Sequence, residues 1–168
     1  MKKLIISTGI CFSALFIASS AFAQASATAD ASATIVTPIS IVKNTDMDFG
    51  NVATNGTVGT VVLTPAGTRT FTGGVTLPAT TGTVTAASFT VSGSGSFTYA
   101  ITLPSSVTIT SGSDNMIVNT FTSTPSTAGI LTAGEQIITV GATLNLVASQ
   151  AEGAYTSATP FTVTVNYN

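Results

Sequence analysis

The chain is nearly without charge and holds no histidine and no tryptophan. Lys and Arg number four and Asp and Glu six in 168 residues. Its one cysteine is Cys11, and beyond position 23 the only basic side chains are Lys43 and Arg69. Each absence excludes a class of chemistry. No Ser-His-Asp or Cys-His arrangement can be assembled from residues 24–168. Zinc and copper lose their usual ligands. With Lys43 and Arg69 as the only cations there, the chain cannot track the phosphates of a nucleic acid or lay a basic patch on a membrane. A Ser-Lys dyad would have to use Lys43, and nothing marks a serine partner for it. Gly73-Gly74 has neither the lysine nor the spacing of a phosphate loop. Aromatic residues make up 7%, which weighs against a sugar-cleaving pair of carboxylates. Asp46 and Asp48 would share a strand face, and Glu135 and Glu152 lie far apart in sequence. Solvated acids at strand ends explain all four more simply. The expectation is no catalytic residue, no cofactor and no enzyme.

What is present begins with a targeting pattern. Met1-Lys2-Lys3 precedes an apolar run from Leu4 to Ala18, and Ser19-Ser20-Ala21-Phe22-Ala23 closes it with a small-x-small ending. This is the pattern of a secretory signal peptide over residues 1–23, cut before Gln24. The run is short for a membrane span and no basic stop-transfer segment follows, so no membrane insertion is expected after cleavage. Ile10 before Cys11 argues against a lipid anchor. The expected location is exported: periplasm, cell surface or extracellular. Residues 24–168 are the size of one ordinary domain.

Beyond the signal, helix patterns are almost absent and strand patterns are dense. Tyr99, Ile101 and Leu103 continue the phase of Phe97 and alternate with Thr98, Ala100 and Thr102. Ala87, Phe89 and Val91 alternate just before them, and Ser92-Gly93-Ser94-Gly95 between the two runs predicts a hairpin. Leu144 and Leu146 form another run, and Phe161, Val163, Val165 and Tyr167 another. Turn residues such as Pro65-Ala66-Gly67, Ser111-Gly112-Ser113-Asp114 and Ala133-Gly134 punctuate them. Threonine and serine take the place of charge on the wet faces. Pairs such as Thr70-Phe71-Thr72 and Thr162-Val163-Thr164 are too irregular for an ordered-water array. Short strands at this spacing imply an all-β sandwich or barrel.

Asn44, Asp46 and Asp48 occupy the first three ligand positions of a calcium loop. Phe49 then stands where such a loop needs glycine and Asn55 where it needs glutamate, so this is no EF-hand. Asp46 and Asp48 remain candidates for a looser calcium site, against the simpler reading of a strand with Met47 and Phe49 facing the core. Residues 24–34 form a segment of their own. Ala25, Ala27, Ala29, Ala31 and Ala33 alternate with Ser26, Thr28, Asp30, Ser32 and Thr34, and Ile35, Ile39 and Ile41 keep the phase. Such a segment is either a flexible leader or a strand donated to another subunit.

Five pieces taken in order, Thr37-Pro38-Ile39-Ser40-Ile41, Met47-Asp48-Phe49-Gly50, Phe89-Thr90-Val91-Ser92-Gly93, Val140-Gly141-Ala142-Thr143-Leu144, and Gly153-Ala154-Tyr155 leading into Phe161–Tyr167, resemble the secreted Gram-negative family catalogued as domain of unknown function 4402. That family carries no established activity, so the resemblance implies architecture and location. The C-terminus, with Tyr167 penultimate and Gly153 fourteen residues earlier, is also similar to chaperone-usher pilins and spore-coat-type secreted domains. The pilin resemblance implies an immunoglobulin-like (pilin-like) antiparallel β-sandwich over residues 35–168, completed by strands from a periplasmic chaperone or from like subunits. The cysteine pair common in pilins is absent, and alanines stand where pilin donor strands offer bulkier anchors. The lead expectation is a non-enzymatic structural or fimbria-like surface subunit. Its partner-strand candidates are Ile35, Ile39, Ile41, Phe161, Val163, Val165 and Tyr167. The alternative is a self-contained secreted sandwich that binds a ligand or calcium through its loops.

Overall fold

The alternation of apolar and hydroxyl residues becomes strand after strand. The computed structural model describes residues 24–168; the expected signal peptide, residues 1–23, lies outside the described residues. Residues 24–34 contain no strand and are exposed throughout. Residues 35–168 form a compact unit. It holds β1 (Ser40–Thr45), β2 (Ala53–Leu63), β3 (Arg69–Thr76), β4 (Ala87–Ser92) and β5 (Thr98–Thr102). Five more follow: β6 (Ser106–Ser111), β7 (Asp114–Thr124), β8 (Ala128–Ile130), β9 (Glu135–Leu146) and β10 (Thr164–Tyr167). There is no helix among the described residues. The strands make two antiparallel sheets, one of seven strands and one of three, as an all-β sandwich requires.

The large sheet is organised by β9. Residues 135–140 of β9 pair with β4, residues 142–146 pair with β2, and residues 139–145 pair with β7. A strand has two edges, so β4 and β2 share one edge of β9 in succession while β7 takes the other. The handover falls at Gly141, where an added Cβ would run into the backbone of Leu63, Thr64 and Pro65. β1 extends the sheet beyond β4, β3 beyond β2, and β6 beyond β7. A bulge in β7 between Asn119 and Thr122, with Thr120 at a φ of 50°, changes the phase of that strand. Met116 and Val118 face inward before it and Ser123 after it.

The small sheet runs β10-β5-β8 and covers only one half of the large one. Between them lies a first core of Phe89 and Val91 from β4, Tyr99 and Ile101 from β5, Ile138 and Val140 from β9, Val165 from β10 and Val163 just before it. Each such side chain contributes about 1.5–3 kcal/mol of burial free energy before conformational entropy is subtracted. Tyr99, fully buried, donates its hydroxyl to Gln136 Oε1 at 2.7 Å, and burial pushes that hydroxyl's pKa up from 10.0. The buried phenol thus has the partner that its desolvation demands.

The sequence predicts a hairpin from β4 to β5, and the structure corrects this. The two strands lie in different sheets. Ser92-Gly93-Ser94-Gly95 is a corner that carries the chain from one layer to the other, with Gly93 N–H bonded to Gly134 O at 2.8 Å. Both strands present apolar alternate residues to the same core, so each satisfies its period without pairing the other.

Candidate functional site

The second half of the large sheet has an apolar inner face that the small sheet does not reach. Val61, Met116, Val118, Ala142, Leu144 and Leu146 form a second core there. Irregular chain covers it in place of strands: Phe49 and Val52 from the segment between β1 and β2, and Tyr155 from the segment between β9 and β10. The cover is incomplete, and an open cleft of about 1160 Å³ remains.

Both walls of the cleft are held in place. Arg69 at the start of β3 donates to the carbonyls of Phe49 and Asn51. Asp48 and Thr85 exchange backbone bonds at 2.9 and 3.0 Å, and Asn51 N–H reaches Thr81 O at 2.7 Å. Gly50 sits at a φ of 66° with its Cα against the carbonyls of Thr81 and Thr83, a place that excludes a side chain. On the opposite wall Gln150 donates to Asn115 O at 3.2 Å and to the Tyr155 hydroxyl at 2.8 Å, which donates in turn to Ala151 O at 2.8 Å. Spacing in the sequence carries no sign that Gln150 and Tyr155 line one wall or that Arg69 braces the other. The only advance hint is that Arg69 is one of two cations beyond position 23.

Asp46 and Asp48, the calcium candidates, line the mouth of this cleft. Asp46 pairs with Lys43 at 2.7 Å, both side chains well exposed, and Asp48 Oδ1 accepts Gly50 N–H at 2.7 Å. Among the described residues no group of three or more His, Cys, Asp or Glu side chains is placed to hold a metal ion. Glu135, at the head of β9, accepts Ser92 Oγ at 3.4 Å.

The partner-strand candidates divide. Ile35 is 98% exposed. Val163 and Val165 are 7% and 8% exposed and belong to the first core, with Ile39, Ile41, Phe161 and Tyr167 packed against it. Phe161 also meets Phe121 at 5.0 Å between ring centres. Their side chains are thus committed within the chain, while their strands are edges: β1 borders the large sheet and β10 the small one. β6 is a further edge, joined to the following chain by the Thr110–Thr156 bridge. Beyond that bridge a gap of about 480 Å³ separates β6 from residues 158–162.

Tyr167 ties three segments together. Its hydroxyl accepts Ser94 N–H at 2.7 Å and donates to Thr37 O at 2.8 Å. The latter bond fixes the point at which the N-terminal chain joins β1. Tyr167→Phe leaves a partly buried N–H and a carbonyl without this partner, and should lower stability by about 1–3 kcal/mol. Urea unfolding midpoints at unchanged slope would measure the loss.

A family model described as Domain of unknown function (DUF4402) matches residues 39–167. No curated protein and no solved structure matches the chain. The matched span runs from just before β1 to the end of β10 and takes in both cores and both cleft walls.

Proposed function

We propose that this chain, which belongs to the family described as Domain of unknown function (DUF4402), is an exported, non-enzymatic, fimbria-like structural subunit that joins like subunits by strand addition at sheet edges. The observation that carries this reading is the state of residues 24–34. They have the period-two pattern of a strand, yet they lie in no strand and are exposed throughout. Ile35, the first bulky residue in their phase, is 98% exposed. A strand-patterned segment without a sheet is a donor in search of an edge, and β1, β6 and β10 are edges. The scarcity of charge fits the same role, because edge strands that must avoid partners carry lysines and inward charges. On these strands the only charged side chain is Lys43, and on the further edges β3 and β8 it is Arg69, which is bonded to the carbonyls of Phe49 and Asn51. Before assembly, a periplasmic chaperone strand would protect the same edges.

Removal of residues 24–34 tests this. The chain from Gln24 should form concentration-dependent oligomers on sizing with light scattering. The shortened chain should run as a monomer with an unchanged β-type circular dichroism spectrum. Monomers of both forms at every concentration would contradict the proposal.

A further inference from the structure

We propose that a second copy of the chain seats its residues 24–34 in the gap between β6 and residues 158–162. The inference rests on the strand-addition reading above and names the edge that accepts the strand.

The gap is an interrupted ladder. Thr102 pairs with Thr164, and the same number of residues farther along both strands Thr110 pairs with Thr156. The two pairs therefore belong to one register. Thr110 and Thr156 exchange backbone bonds at 2.8 and 3.0 Å, and at the other end Asn168 N–H reaches Thr98 O at 3.2 Å in the same phase. Alternate residues of an antiparallel ladder point the same way, so Ser106 and Thr108 aim N–H and C=O toward Pro160 and Ala158. Among the described residues no backbone bond closes these rungs. Proline is the local reason. Pro104 stands opposite Thr162 and Pro160 opposite Ser106, and neither has an N–H to give. The space left open is about 480 Å³, and none of its lining residues is buried.

The opening suits a strand of small residues. Val107 already packs against the second core and Phe161 against the first, so the space beneath an added strand is filled. Such a strand can turn only short side chains inward. Residues 24–34 have that pattern, with Ala25, Ala27, Ala29, Ala31 and Ala33 on one face and hydroxyls and Asp30 on the other. The segment is longer than the stretch, residues 103–109, that lies between the closed pairs. No charged side chain lines the gap, which leaves Asp30 on the wet face. A strand seated here gains a row of bonds on both of its edges. At β1, β3, β8 or β10 it would gain one row.

Cysteine trapping between copies tests the proposal, because residues 24–168 hold no cysteine. Two full exported chains of distinguishable size are co-expressed and oxidised. One carries a donor cysteine in the segment. The other carries an acceptor cysteine at an exposed position of an edge strand: Thr108→Cys on β6, Val42→Cys on β1, Thr70→Cys on β3, Ile130→Cys on β8 or Asn166→Cys on β10. Thr108→Cys should trap a mixed dimer with at least one of Ser26→Cys, Thr28→Cys, Asp30→Cys and Ser32→Cys. It should trap none with Ala27→Cys or Ala29→Cys, whose side chains turn inward. Pro104→Thr with Pro160→Thr restores both donors and lets the ladder close, so it should lower the trapped fraction severalfold. Trapping at β1, β3, β8 or β10 instead would overturn the slot and leave strand exchange standing. Trapping at no edge would overturn both. Trapping at Thr108→Cys that the proline replacements leave undiminished would overturn insertion in the gap.

Discussion

Val163→Asp is expected to leave no folded protein, while Thr164→Asp, one residue along, leaves the fold intact. Val163 is 7% exposed in the first core and Thr164 is exposed on the opposite face of the chain. The aspartate at 163 forfeits about 1.5–3 kcal/mol of burial and adds the larger cost of an unpaired charge in an apolar site. A domain stable by about 5–15 kcal/mol cannot absorb that easily, and here the loss falls directly before a four-residue strand at the edge of its sheet. At 164 the charge stays in water, and the cost should be about 1 kcal/mol or less. Far-ultraviolet circular dichroism and the yield of exported protein read both variants. Because a slip of one residue would exchange the two faces, equal effects would refute the register Thr164↔Thr102, Val165↔Ile101.

Gly141→Ala is the second large effect. A methyl at 141 would strike Leu63 O, Thr64 C and Pro65 N, all of them backbone. No side chain can rotate away, so either β9 or the end of β2 must move. Movement there breaks the Leu63↔Ala142 pairing on one side and strains Ala87↔Val140 on the other. The cost should be about 3 kcal/mol or more, at or above the upper end of ordinary overpacking. Gly67→Ala is the control. Its methyl meets nothing within 4 Å, and only its φ of 80° opposes the change, which should cost about 1–2 kcal/mol. Urea midpoints for the two variants should separate clearly.

These two sites also mark how far the sequence was legible. Alternation alone located the inward residues of β4, β5 and β10, because a half-buried strand writes its burial directly as a period of two. It did not locate the partner of each strand. Phe89 and Tyr99 lie on consecutive strands with a glycine-rich link, yet they face one core from opposite layers. Pairing of that kind depends on long-range contacts such as Val140 with Ala87, which leave no local mark. Gly141 looked like any strand glycine, since the backbone it accommodates comes from residues 63–65. The cleft was hidden for the same reason. Asp46 and Asp48 drew attention as neighbouring acids, but what they border is the irregular cover over the second core. The N-terminal alternation was plain, and on the proposed reading its meaning lies in the sheet edge of another copy.

The central claim is that residues 24–35 are a strand for another copy. The most direct measurement adds a labelled peptide of residues 24–36 to the chain that lacks residues 24–34 and follows fluorescence anisotropy. The account predicts saturable binding at one peptide per chain. A peptide of the same composition in scrambled order, without the alternation, should not bind. No binding, or equal binding of the scrambled peptide, would contradict it.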